Sequence, residues 1–329
     1  MRPILVCVLL LFLPVAASAL DETQRAETGD RTWSEPSAWN TSTLPTDREA
    51  VFVPGYVGES RVTVPADTSA RAGALYIGSE DGAVGRVSVV EGTLTLQRSK
   101  IEGIPDAGRM IIGEAGGRGE VLQVGGVVLA AKVIRIGDGN KSSGRYVLSG
   151  RGTLHAGSAI QVTTGNGSTG VLEIHGSTGA IATGAYSHGT GTSTLKIVAD
   201  AHGVTPITAH TKVTLNGTLD VNLNRYGNPP AEIRLIDNRS QDAIRGGFSQ
   251  VRLRGADQYQ VNYAGGDGND VVLTRIPEDV TAITSWVSHY LPDSSLSRQD
   301  FQSDTDGDGV SNLAEYKLGT LPDLSLIHI

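Results

Sequence analysis

The feature that most limits this chain is a recurring phrase: a glycine-like position, alternating apolar residues, then glycine. Gly85-Arg-Val87-Ser-Val89 stands before Gly92, and Gly119-Glu-Val121-Leu-Gln123-Val-Gly125 follows. Next come Gly144-Arg-Tyr146-Val-Leu148-Ser-Gly150 and Gly170-Val-Leu172-Glu-Ile174-His-Gly176. Weaker copies read Ser193-Thr-Leu195-Lys-Ile197 and Thr211-Lys-Val213-Thr-Leu215-Asn-Gly217. Their starts lie 34, 25, 26, 23 and 18 residues apart. A second anchor, Ile77-Gly78, Ile112-Gly113 and Ile136-Gly137, precedes the first three copies. Alternation sends every second side chain to one face of a strand. Glycine at the ends permits positive φ or close backbone approach. A unit of this size cannot bury its own apolar face, so copies must stack. The expected fold is all-β: a parallel, right-handed β-helix or solenoid, one unit per turn. An antiparallel sandwich also has short strands and glycine-rich turns, but the solenoid-like period favours stacking.

Composition agrees. Of 42 glycines, 27 lie between Gly73 and Gly191, so the excess belongs to the repeat bends. The net charge of -8 argues against general nucleic-acid binding, which needs a basic face to displace counterions. The N-terminus reads as a secretory leader over residues 1–19. Arg2 starts it, Ile4 to Leu13 is an apolar run too short to span a bilayer, and Ala17-Ser18-Ala19 suits cleavage. Its removal takes Cys7, the single cysteine. The mature chain is thus expected to be exported, without disulfides or a membrane span, and stabilised by packing, backbone ladders or metal. At the other end, Leu324 to Ile329 reads like a translated sequencing adapter, which would put the natural chain's cut near Asp323.

Over residues 31 to 276 the pattern resembles the β-helical passenger repeats of autotransporter-type exported proteins of Gram-negative bacteria. Trp33-Ser-Glu-Pro-Ser-Ala-Trp39-Asn-Thr-Ser-Thr-Leu-Pro45-Thr-Asp47 is similar to the entry of such regions. Tyr263-Ala-Gly265-Gly266-Asp267-Gly268-Asn269-Asp270-Val-Val-Leu273 is similar to their closing strand. The resemblance implies a fold, and a role among adhesins, surface material or enzyme-bearing proteins. It brings no catalytic motif.

Two acidic motifs point to calcium. Gly265 to Leu273 fits one calcium-binding nonapeptide, with Asp267 and Asp270 as possible oxygen ligands. Such ions sit between successive copies, so the single copy reads better as a hairpin turn. Asp304-Thr-Asp306-Gly-Asp308-Gly309-Val310-Ser-Asn312-Leu-Ala-Glu315 fits an EF-hand loop at every ligand position. Asp304, Asp306, Asp308, Asn312 and Glu315 would supply side-chain oxygens and Val310 its carbonyl to Ca2+. Ser311 stands where EF-hands usually carry an apolar residue. Val280, Ile283, Trp286, Val287, Tyr290 and Leu291 recur at helical spacing before the loop. Asp279 would cap that helix and Pro292 end it. Residues 278 to 322 resemble dockerin and thrombospondin type 3 calcium segments, although dockerins carry two loops.

Signs of catalysis are few. His188-Gly189 follows Ser187 rather than glycine, Arg98-Ser-Lys100 stands alone, and no adjacent aspartate pair occurs. His155 and His175 could stack on one outer face, though isolated surface histidines are the simpler reading. The expected organisation is a leader (1–19), a cap with first strands (20–65), solenoid repeats (66–224), and terminal turns with a closing strand (225–276). A helical calcium module (277–323) and the adapter-like tail (324–329) follow. The expected function is an exported, cell-surface or extracellular structural or adhesin-like protein, not an enzyme, with a glycan or surface protein as possible partner. The competing expectation is a polysaccharide-binding or polysaccharide-degrading β-helix protein.

Overall fold

A computed structural model describes residues 24–54, 58–97, 107–255 and 259–276. The leader, Arg98-Ser-Lys100, the stripe from Val280 to Leu291 and all six expected calcium ligands (Asp304, Asp306, Asp308, Val310, Asn312, Glu315) lie outside the described residues.

The described chain is a parallel β-solenoid whose one helical element is a short 3-10 turn, Pro36–Ala38. Its first face is a nine-stranded parallel sheet. Its strands are Gly29–Thr32, Glu59–Val64, Val84–Val89, Arg118–Gln123, Ser143–Leu148, Thr169–His175, Thr192–Val198, Thr218–Asn222 and Gln250–Arg254. A second face starts with Ser69–Ala72, Thr93–Leu96 and Val127–Ala130. A third starts with Gln24–Arg25, Ala50–Val53, Ala74–Ile77, Met110–Glu114 and Val133–Asp138. From Thr153–Val162 onward, single long strands run across both, turning at register shifts between Ala156 and Ala159 and between Thr183 and Ala185. The second and third faces therefore form one continuous sheet.

Alternation decides what goes inside. On the first face, Val62, Val87, Val121, Tyr146, Leu172, Leu195 and Leu219 are aligned turn by turn, and all are fully buried. Burying each such side chain contributes roughly 1.5–3 kcal/mol against leaving it in water. The column joins one core running from Ala26 to Leu273. Polar members carry their own partners: buried Gln123 accepts from Tyr146 (2.6 Å) and donates to the carbonyls of Gly126 and Thr153 (3.1 and 3.0 Å).

The two sequence anchors are opposite sides of one corner. Gly85, Gly119, Gly144 and Gly170 are aligned on the first face. Ile77, Ile112 and Ile136 are aligned on the third. A Cβ on Gly144 would overlap the Ile112 carbonyl and the Gly137 amide; one on Gly113 would overlap the Ser143 carbonyl. Neither position can carry a side chain while the turns keep this spacing. Further on, Thr163 occupies the corner at φ 62 and Ser193 the strand position, so the motif fades while the stacking persists.

One predicted copy is misplaced. Val213 and Leu215 belong to Ile207–Leu215 on the other sheet, where Val213 pairs with Tyr186. The next first-face strand is Thr218–Asn222, with Leu219 and Val221 inward. The phrase also extends upstream, because Ser60 pairs with Gly85 and Gly29 with Ser60.

The two ends are closed differently. Near the N-terminus, Trp33 and Trp39 are buried edge to face, 5.0 Å apart, and Trp39 donates to the Trp33 carbonyl (3.1 Å). At the other end, Asp270–Arg275 pairs antiparallel with Glu232–Asn238 and with Tyr259–Gly265.

Candidate functional site

Outward-facing residues on the first face form a chain of alternating charge. Glu59, Arg86, Glu120, Arg145, Glu173 and Lys196 come from six successive strands and are joined by ion pairs. Arg145 reaches Glu120 at 2.5 Å and Glu173 at 2.6 Å; Lys196 reaches Glu173 at 2.8 Å. Glu173 is buried by its partners, which include the His175 ring at 2.7 Å. Burial alone would raise its pKa, but hydrogen bonds from Lys196, Arg145 and His175 prevail and hold it at about 2. Exposed pairs contribute only about 0–1 kcal/mol each. Their value here is register: a strand displaced by one residue would leave Glu173 buried without these cations.

The second face is different. A groove of about 370 Å³ lies on it, with Gly179, Ala180, Ala182 and Thr208 among its lining residues. His155, Ala182 and Thr208 are aligned on successive turns. His155, His210 and Arg239 also line it and are exposed. Asp237 accepts from Nε of Arg239 at 2.8 Å, which steadies the guanidinium. Small side chains between larger polar ones make the hollow. The arrangement offers two imidazole rings and a guanidinium, its charge shared with Asp237, around a floor of methyl groups. That suits a flat ligand rich in oxygen acceptors.

The other histidines divide. His155 and His175 do not stack: one is on the second face, and the other ends the first-face strand Thr169–His175, beside Glu173. Counting residues could not show that a corner lies between them. His188 is buried between Tyr186 Oη (2.8 Å) and Ser193 Oγ (3.0 Å), with Phe248 edge-on at 5.4 Å. Burial pushes its pKa down to about 4, against the Asn216 backbone, which raises it. The trio resembles a nucleophilic relay in composition. Yet Ser193 and Tyr186 are as buried as the aliphatic core, so no substrate atom can reach them. It is a hydrogen-bonded plug in the column that begins Val53, Ile77, Ile112, Ile136 and Val162.

The nonapeptide is a hairpin turn, the simpler of its two readings. Gly265 pairs with Asp270 across it, and Gly268 donates to the Gly265 carbonyl (2.9 Å). Asp270 is buried, accepting from the Asn238 amide (2.8 Å) and pairing with Arg234 (3.1 Å). Its oxygens are thus engaged inside the protein. Among the described residues, no three His, Cys, Asp or Glu side chains converge on a metal position. No helix among them is long and apolar enough to cross a membrane.

Sequence reasoning missed both the charge chain and the groove. Their members are a full turn or more apart, and only register brings them together. No protein-family model, curated protein or solved structure matches this chain.

Proposed function

We propose that the chain is an exported structural or adhesin-like scaffold of the cell surface or extracellular space, whose C-terminal loop holds calcium. What supports the reading is the unbroken parallel ladder, with first-face charges neutralised by one another turn by turn. Such a face makes a stiff support and leaves the second face to meet a partner. Three close carboxylates at Asp304, Asp306 and Asp308 would repel one another without a cation, and Ca2+ would neutralise them with Glu315 as bidentate ligand. Isothermal titration of the full chain tests this. Binding at or below millimolar calcium is expected, together with a higher melting temperature. No heat at millimolar calcium would overturn it, and Asp304→Ala with Glu315→Ala should abolish the effect.

A second reading, a polysaccharide-binding protein, is favoured by the groove around Ala182. Glycans on an array should then be retained, and Ala182→Gln, which fills the floor, should release them. Hydrolysis or lyase activity on polyuronides would instead make the chain an enzyme.

A further inference from the structure

The first face ends on a half-buried apolar edge. Two inward columns run along it. One passes from Val62 to Leu219 and ends on Val251; the other includes Val64, Val89, Gln123, Leu148, Ile174, Ile197 and Val221 and ends on Leu253. Every earlier member is buried, but Val251 and Leu253 are only half-buried. Nearby core-packed Ile244, Val261 and Tyr263 are also half-buried. Among the described residues, Gln250–Arg254 pairs only with Thr218–Asn222. An open edge with apolar side chains beneath it promotes association, and a repeat stack needs a cap with a polar outer side.

We propose that the segment from Glu278 to Leu291 caps this end, laying Val280, Ile283, Trp286 and Val287 over Val251, Leu253 and Tyr263. Three features select this occupant. The described chain stops at Ile276, directly after the hairpin that covers the neighbouring face, so the stripe begins within a few residues of the gap. The protein has three tryptophans; two close the N-terminal end, and the third is Trp286. The stripe has helical spacing, and Thr281, Ser285 and His289 stand between its apolar positions on the opposite side of such a helix, supplying a polar outer side. The proposal does not rest on the calcium loop.

Hydroxyl-radical footprinting of the full chain reads side-chain exposure directly. Leu253 should react as slowly as fully buried Leu219, with exposed Leu129 as the fast reference. Ile283→Asp with Trp286→Asp should raise Leu253 toward Leu129 while Leu94 and Leu154 stay slow. Reactivity of Leu253 between Leu219 and Leu129 in the unmodified chain would overturn the proposal. So would protection that appears only at high protein concentration, since a second copy would then be the cover. If the variant exposes Leu94 and Leu154 as well, it has unfolded, and the unmodified chain decides alone.

Discussion

On the first face, six charged side chains answer one another from turn to turn; on the second, His155, His210 and Arg239 surround a hollow floored by alanine. Both faces belong to the same turns and share one core. They differ in what they do with outward positions. The first consumes its polar groups internally, so substitution there should change stability. The second leaves them toward solvent, so substitution there should change recognition.

The largest effect should come from the corner between the first and third faces. Gly144→Val drives side-chain atoms into the Ile112 carbonyl and should cost more than about 4 kcal/mol. Denaturant unfolding would measure it, and a small loss would show that the corner yields. Acid comes next. The pKa of His188 is about 4 in the folded chain against 6.5 as the ordinary value. The unfolded chain therefore takes up a proton first as pH falls. The contribution is complete above pH 6.5 and is lost between 6.5 and 4, by roughly 3 kcal/mol. His188→Gln should flatten that limb of a stability–pH curve.

Glu173→Gln should cost about 1–3 kcal/mol, less than a deeply buried pair because its cationic partners are partly hydrated. Glu173 is held at about 2 against an ordinary 4.5, so its contribution is full above pH 4.5 and disappears as pH falls toward 2. The variant should lack that loss, as acid titration of unfolding would show. Smallest in stability should be Arg239→Ala, within about 0.5 kcal/mol, yet it should weaken retention of a glycan. Equal losses of stability at Glu173 and Arg239 would erase the distinction between the faces.

The repeat was legible wherever glycine was compulsory. Gly85, Gly119, Gly144 and Gly170 mark a contact that forbids a Cβ, so they survive in the sequence as a visible period. Where the corner accepts Thr163 and Ser193, the signal weakens, and Thr211 to Gly217 carries the same alternation although Val213 and Leu215 belong to the other sheet. Alternation alone does not say which face a strand joins. The charge chain was invisible for another reason. Arg145 and Glu173 are 28 residues apart, and the spacing varies from turn to turn. The groove depends on the absence of side-chain bulk at Ala180 and Ala182, which no motif records.

The pairing between turns also has a consequence for how such a chain can lengthen. Leu96 pairs with Ala130 and Met110 with Ile134, so fourteen positions on one turn match four on the next. Both registers hold across this mismatch. Ten extra positions between Leu96 and Met110 leave the ladder on either side in register. The stretch is a natural graft site: foreign peptide could be spliced between Leu96 and Met110 into a frame that does not need to refit around it.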